Sequence, residues 1–371
     1  MSALETAERI VIKIGSQLLV DPETGHVHRR WLETLADDVA MLRAEGKEIT
    51  IVSSGAIAIG RRHLGLAPGK LMLPEQQAAA ATGMVRLTHA YQEVLGRHDL
   101  TVAQVLLTLD DSENRRRYIN ARNTLTELLR LGAVPLINEN DTVATDEIRF
   151  GDNDRLAARV AAMISADLLI MLSDIDGLYT ANPQVDPSAE FVPEVRGQIT
   201  PAIEAMAGVQ LSGDSRGGMV TKIAAAKIAT GAGARAVITL GKENNPLKRL
   251  RDGARATHFI PDANPRTARK EWIAGSLKPA GKLHVDAGAL NALKSGKSLL
   301  PAGVKKIEGR FERGDAVAVI DPGGREIARG LVAYHIDEAA RIAGHKTGEI
   351  EAILGYRGRD EMIHRDDLVL I

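Results

Sequence analysis

The sequence predicts a layered α/β/α domain on a mainly parallel sheet, followed by a smaller β-rich domain. Three observations carry that expectation. Short apolar runs alternate with longer helical patterns from residue 9 to residue 241. The chain, at 371 residues, is longer than most single hydrophobic cores. Near residue 279 the pattern changes to short alternating runs punctuated by glycine and proline. The expected division is therefore 1–278 and 279–371.

The apolar runs come in chain order as "RIVIKIG" (9–15), "EITIVSSG" (48–55), "TVAQVLL" (101–107), "AVPLINEND" (133–141), "ADLLIMLSD" (166–174) and "ARAVITLG" (234–241). Runs of this length without strict alternation fit parallel strands buried on both faces. Helical patterns over 30–45, 74–96, 116–131 and 154–165 are long enough for right-handed crossovers, with helices on both faces of the sheet. Over 258–289, "HFIPDANPRTARKEWIAGSLKPAGKLHVDAGA", Pro261, Pro265, Pro279 and several glycines interrupt periodicity. Beyond it, "VKKIEGRFERGDAVAVIDPGGREIARGLVAY" reads as three short strands, with turns at Arg313-Gly314-Asp315 and Pro322-Gly323-Gly324. Helical patterns flank them.

Composition excludes several classes. Lysine plus arginine (47) balances aspartate plus glutamate (48), so no whole-chain field draws the protein to nucleic acid or a membrane surface. The stretch 281–371 holds 14 basic and 14 acidic residues, and aromatic residues make up 3% of the chain, which leaves few platforms for stacking bases. With no cysteine there are neither disulfides nor thiolate zinc sites. The opening "MSALETAERIVIKIG" lacks the basic region and apolar core of a secretion signal, and no apolar stretch approaches the length of a membrane helix, so a cytoplasmic address is expected. His26, His28, His335, His345 and His364 are scattered without metal-binding spacing.

Several residues fall where open α/β sheets bind ligands, beyond the carboxyl ends of strands. Lys13 ends the first run, followed by Gly15 and Ser16; it is either an ammonium placed for an anion or a lysine snorkelling from a strand end. "VSSGAIAIG" (52–60) runs from a strand through two serines and a glycine into a helix, which suits a carboxylate or phosphate, or an ordinary serine N-cap. "NENDTVATDEIRFGDNDRLAA" (138–158) gathers Asn138, Glu139, Asn140, Asp141, Asp152, Asn153 and Asp154. That loop fits the binding of an amino group or a solvated turn with a capping aspartate; it lacks the glycine and distal glutamate spacing of a calcium loop. "MLSDIDGLYT" (171–180) sets Ser173 and Asp174 at another strand end, a fit for the edge of a nucleotide. "RGGMVTKIAAAK" (216–227) places Gly217, Gly218 and Lys222 at a helix start, either a phosphate cradle or a solvated lysine, and no Walker loop occurs anywhere in the chain. Two lysines, a Ser-Ser-Gly turn and an Asn/Asp loop, all at strand or helix ends, together describe phosphoryl transfer.

In order and spacing, "VIKIGS", "IVSSGAIAIGRRHLG", "INENDTVATDEIRFGDND", "LSDIDGLYTANP" and "GGMVTKIAAAKIA" resemble the amino acid kinase family, and within it the glutamate 5-kinases. "GKLHVDAGALNAL", "SLLPAGVKKIEGRFERGDAV" and "EIEAILGY" resemble the PUA domain appended to those enzymes, so the resemblance covers essentially the whole chain. It implies the layered amino acid kinase fold over 1–278 and a PUA domain over 279–371. It implies transfer of phosphate from ATP, with Mg²⁺, to the side-chain carboxylate of L-glutamate, the first step of proline biosynthesis. It also implies feedback inhibition by proline, a homo-oligomer (dimer or tetramer) and glutamate-5-semialdehyde dehydrogenase as downstream partner. The physical chemistry agrees: a carboxyl with a pKa of about 4.3 is already ionised at neutral pH, so no general base is required, and the need is for cations around the transferring group.

By resemblance Lys13 and Lys222 flank the transferring phosphoryl group and Asp154 orients both ammonium groups. Ser54, Gly55, Ala56, Asn138, Asp141, Asp152 and Asn153 match the positions that hold glutamate, with Asp141 facing its α-ammonium. Ser173, Asp174, Gly217, Gly218 and Met219, with Lys13 and Lys222, match the ATP side, and no protein ligand of the metal is assigned. Three positions depart from the family pattern: Ser173 and Arg216 stand where threonine is expected, and Val220 where serine is frequent. None removes a catalytic charge. The alternatives are another member of the superfamily, acting on N-acetylglutamate, aspartate or a nucleoside monophosphate, and an RNA-binding PUA protein. The "NENDTVAT" loop argues against the first, and the neutral tail against the second.

Overall fold

Most of the apolar runs become strands that bury both faces beneath helices; the run over 101–107, expected to be buried, is instead an edge strand of the sheet, with Gln104 and Leu106 exposed. The structure, a computed structural model, describes residues 3–21, 24–67, 69, 71–143, 153–208, 218–275 and 279–371. The chain divides into two compact units, Met1–Glu113 with Asn120–Pro265, and Asn114–Ile119 with Arg266–Ile371.

The strands of the first unit are β1 (Arg9–Ile14), β2 (Glu48–Ser53), β3 (Val102–Leu107), β4 (Val134–Glu139), β5 (Leu168–Ser173), β6 (Leu178–Tyr179), β7 (Phe191–Val192), β8 (Glu194–Arg196), β9 (Arg235–Leu240) and β10 (Ala256–Ile260). Eight form one sheet in the order β3-β4-β2-β1-β5-β9-β10-β8. From β3 to β9 every neighbour is parallel, whereas β10 runs antiparallel to β9 and pairs in parallel with β8. The six parallel strands are the six expected from the sequence. Within 258–289, where periodicity reads as interrupted, the structure forms the end of β10 and the helix Pro265–Gly275. Pro265 is the first residue of that helix, where a proline's missing N–H costs nothing, so a residue read as a breaker is a starter. The strands β6, β7 and β8, two or three residues each, are too short to show a period.

Helices Arg29–Ala44, Leu73–Gly96, Arg115–Arg130 and Asn153–Met163 begin within one residue of their expected starts. In the first of them Trp31, Leu32, Leu35, Ala36, Val39 and Leu42 are buried at helical spacing. They share a core with Ile10, Ile12 and Ile14 of β1, Ile49 and Ile51 of β2, and Leu168, Ile170 and Leu172 of β5. Register levels the ends of the central strands: Lys13 pairs with Val52 and with Met171, Ile14 with Ser53, and Val52 with Ile137.

The helix Ala56–His63, which leaves the serine turn, crosses Leu73–Gly96 at a pair of glycines. A Cβ on Gly60 would lie 1.7 Å from the carbonyl oxygen of Ala79, and one on Gly83 would lie 1.8 Å from that of Ala56. The two backbones touch, and only glycine permits it.

In the second unit β11 (Gly281–Val285), β12 (Val304–Gly309), β13 (Ala316–Ile320), β14 (Glu326–Leu331) and β15 (Leu368–Leu370) form a sheet in the order β12-β11-β13-β14-β15. The run expected to give three strands forms β12, β13 and β14, around a core that includes Leu283, Val317, Val319, Tyr334 and Ile363.

Gly60→Ala is expected to lower the free energy of unfolding by about 1–3 kcal/mol in urea titrations, because the added methyl overpacks the crossing. Gly96→Ala, on the same long helix with nothing within 4 Å of its Cβ position, is expected to be neutral or stabilising by about 0.4–1 kcal/mol.

Candidate active site

Parallel strands end at one edge of the sheet, and three helix starts meet them there. Lys13 sits one residue before the end of β1, and Lys222 lies in the first turn of the helix Met219–Gly231. Asp154, the second residue of the helix Asn153–Met163, stands between them and is fully buried (0% exposed). Its Oδ1 is 2.6 Å from the Lys13 ammonium and its Oδ2 is 3.2 Å from that of Lys222. Thr221 Oγ1 lies 2.9 Å from the same Oδ2 and 2.8 Å from the carbonyl of Gly218.

The electrostatics are lopsided by design of the residues present. Two ammonium groups and one carboxylate leave one net positive charge, with all three side chains buried. Burial alone would raise the Asp154 carboxyl, but the charges of Lys13 and Lys222 and the bonds from Lys13 and Thr221 outweigh it and hold the group below the usual carboxylate range. A carboxylate in the first turn of a helix is favoured by the macrodipole, whereas the Lys222 ammonium in the first turn of its own helix is not. Asp154 offsets part of that cost. An anion brought to the same place would offset the rest.

Next to the triad lies the serine turn. Gly55 takes φ +100°, a left-handed conformation, as it opens the helix Ala56–His63. Asn153 Nδ2 donates to the Ser53 carbonyl at 2.9 Å and to Ser54 Oγ at 2.7 Å, and Asn138 Nδ2 donates to the same carbonyl at 2.7 Å. Asn138 is buried near the end of β4, and the half-buried Asp141 follows in the turn just beyond that strand. On the other side of β1, Ser173 ends β5 buried, its hydroxyl donating to the exposed Asp174 at 3.1 Å. Gly218, half-buried and extended, precedes Met219 at the start of the Lys222 helix, with no atom of the described residues within 4 Å of its Cβ position.

The structure thus brings Lys13, Lys222 and Asp154 into contact and ties Asn138 and Asn153 to the Ser53–Ser54 backbone. Asp141, Ser173, Asp174, Gly218 and Met219 fall at the same strand ends and helix start. Asp152 and Gly217 lie outside the described residues, as does Arg216. Sequence reasoning missed Thr221 and Ser53. Thr221 had a signal, since it stands in the "GGMVTK" run one residue before the lysine; Ser53 was overshadowed by its neighbour in the Ser-Ser pair.

With this geometry in place, comparison with known proteins separates the candidates. Residues 8–239 match the model of the amino acid kinase family, and residues 281–354 that of the PUA domain. The chain belongs to the glutamate 5-kinases of the amino acid kinase family. It is 63% identical to the glutamate 5-kinase of Paramagnetospirillum magneticum, with 100% of each chain covered. Identity with the glutamate 5-kinase of Rhodospirillum rubrum is 61%, over 97% of this chain and 96% of that one. Among solved structures, a carbamate kinase from Giardia lamblia bound to AMP-PNP has a TM-score of 0.50 and 18% identity, covering 69% of this chain and 99% of that one, which is a likeness of fold. The chain is accordingly a kinase with a mostly parallel catalytic sheet and a strand-rich PUA domain.

Asp154→Asn leaves two buried ammonium groups without their counter-charge, and is expected to cost about 3–5 kcal/mol at neutral pH. Because the folded pKa of Asp154 lies below the unfolded value of about 3.9, its stabilisation is complete above that value and is lost as pH falls through the folded one. Urea titrations of both proteins should therefore show a constant gap down to about pH 4 that narrows below it.

Proposed function

We propose that this protein transfers the γ-phosphoryl group of ATP to the side-chain carboxylate of L-glutamate, forming L-glutamate 5-phosphate in the first step of proline biosynthesis. The observation that carries this reading is the buried Lys13–Asp154–Lys222 cluster, with one net positive charge, at the edge where strand ends and helix starts converge. A glutamate oxygen attacks the γ-phosphorus in line, the new P–O bond forms, and the bond to the β-phosphate oxygen breaks to release ADP. No proton moves, because the nucleophile is already an anion. The lysines meet charge on the transferring group from two sides, and Asp154 holds both in place before substrates arrive.

Ser54, Gly55, Ala56, Asn138, Asp141, Asp152 and Asn153 are assigned to glutamate. The turn's amides and hydroxyl suit a carboxylate, and Asp141 suits the α-ammonium. Ser173, Asp174, Gly217, Gly218 and Met219, with the two lysines, are assigned to ATP. Asp154 has both oxygens committed to ammonium groups and the Thr221 hydroxyl, so the residues fit a Mg²⁺ that is held by the phosphates rather than by this carboxylate. When bound, that ion would neutralise phosphate charge.

Supported by full-length likeness to glutamate 5-kinases, the proposal extends to a catalytic domain over 1–278 and a PUA domain over 279–371. It extends also to proline as an inhibitor at or overlapping the glutamate site, and to a cytoplasmic homo-oligomer built through the kinase domain. Delivery of the labile acyl phosphate to glutamate-5-semialdehyde dehydrogenase completes it. No helix among the described residues is long and apolar enough to cross a membrane.

ATP turnover with Mg²⁺ and hydroxylamine, comparing L-glutamate, N-acetylglutamate, L-aspartate and UMP, is expected to yield hydroxamate with L-glutamate alone; turnover with another acceptor would move the substrate. In the same assay Lys13→Ala and Lys222→Ala should each lower kcat on the order of a hundredfold or more, with little change in the glutamate KM. Asp141→Ala should raise the glutamate KM about tenfold to a hundredfold with a smaller effect on kcat. Equal effects on both parameters would undo that division of roles.

A further inference from the structure

The serine turn rests on a hydrogen-bond junction that no sequence motif marks. Ser53 ends β2 and is fully buried, and its carbonyl accepts from both Asn138 and Asn153. Its hydroxyl lies 3.1 Å from the hydroxyl of Tyr91, a buried residue of the helix Leu73–Gly96, and 3.4 Å from the carbonyl of Ser54. A serine hydroxyl has one proton; directed at the Ser54 carbonyl, it leaves Ser53 Oγ to accept from Tyr91. Burial pushes the Tyr91 phenol above its ordinary range, so it keeps its proton and remains a donor.

We propose that Tyr91 is a positioning residue for the acceptor substrate: its hydroxyl fixes Ser53, and through Ser53 the backbone to which Asn138, Asn153 and the Ser54 hydroxyl are tied. The inference rests on the assignment of that turn to glutamate made above. Its direction follows from the connections. The bonds of Ser53 run to Tyr91, Ser54, Asn138 and Asn153, all on the acceptor side, whereas Ser173 bonds to Asp174 on the far side of β1. The long helix is held in place without the phenol, by the Gly83 crossing and by buried Leu87, Val94 and Leu95. Loss of the hydroxyl therefore loosens the turn and leaves the helix packed, with a buried Ser53 oxygen short of a donor.

The test is steady-state hydroxamate formation by wild type, Tyr91→Phe, Ser53→Ala, the double variant and Leu87→Ala, varying glutamate and ATP separately. Wild type that forms no glutamyl hydroxamate would sink the substrate assignment itself. With wild type active, Tyr91→Phe should raise the glutamate KM roughly threefold to tenfold, the worth of one hydrogen bond, while kcat and the ATP KM stay within about twofold. Ser53→Ala should behave alike, and the double variant should be no worse than the worse single one. Leu87→Ala, which removes core packing from the same helix, should lower the melting temperature with the glutamate KM unmoved. Unchanged kinetics in Tyr91→Phe, equal losses for glutamate and ATP, or a matching KM rise in Leu87→Ala would overturn the proposal.

Discussion

Everything at the site depends on one buried carboxylate shared by two lysines. Without Asp154, the buried Lys13 and Lys222 ammonium groups would lose the carboxylate they share, and desolvation and mutual repulsion would work against holding them close together. With it, two cations are held at fixed places on either side of a common point. The three groups by themselves carry one net positive charge. That surplus is the property a polyanionic phosphate and an attacking carboxylate require, because each approach is repelled by the other's charge.

The sheet order explains how residues so far apart in sequence reach that point. Lys13 comes from β1 in the middle of the sheet, between β2 and β5. Asp154 belongs to the helix between β4 and β5, and Lys222 to the helix that leads into β9. Parallel pairing from β3 to β9 puts every carboxyl end on one edge, and the connections between them return each helix start to that edge. The partial positive charge of these helix starts adds to the lysines. A single antiparallel strand inserted between β4 and β9 would separate the groups, and the antiparallel β10 and β8 lie beyond that span.

Much of this was legible in the residues, for reasons that differ by element. "RIVIKIG" and "ADLLIMLSD" declare central strands because a strand buried on both faces must be apolar throughout. "VSSG" and "GGMVTK" mark strand-to-helix and helix-start positions where serine and glycine let the backbone approach an anion, but each taken alone reads equally as an ordinary helix start. Period reading failed at β6, β7 and β8, where two or three residues show no repeat, and at Pro265, where a helix-starting proline resembles a breaker. The Ser53–Tyr91 bond was invisible for a deeper reason. Its partners are 38 positions apart, and nothing local to Tyr91 separates a phenol that packs from one that donates.

The site divides into halves with different supports. The side proposed above for the acceptor is a network: Tyr91, Ser53, Ser54, Asn138 and Asn153 are joined by hydrogen bonds, and the helix beyond them is locked by backbone contact at Gly60 and Gly83. The side proposed for the nucleotide, among the described residues, has the Ser173–Asp174 bond and the start of the Met219–Gly231 helix, where Gly218 leaves space at its Cβ position. A small acceptor with two carboxylates and one ammonium must be told from near neighbours by where a few polar groups stand, so rigidity there yields specificity. A nucleotide offers a large surface and three phosphates, so its affinity can come from summed charge and from backbone amides that need space more than fixed hydroxyls. The triad spans both halves. Lys13 is in the central strand, and Asp154 follows directly on Asn153, so the same helix start that orders the acceptor network sets the distance between the two lysines.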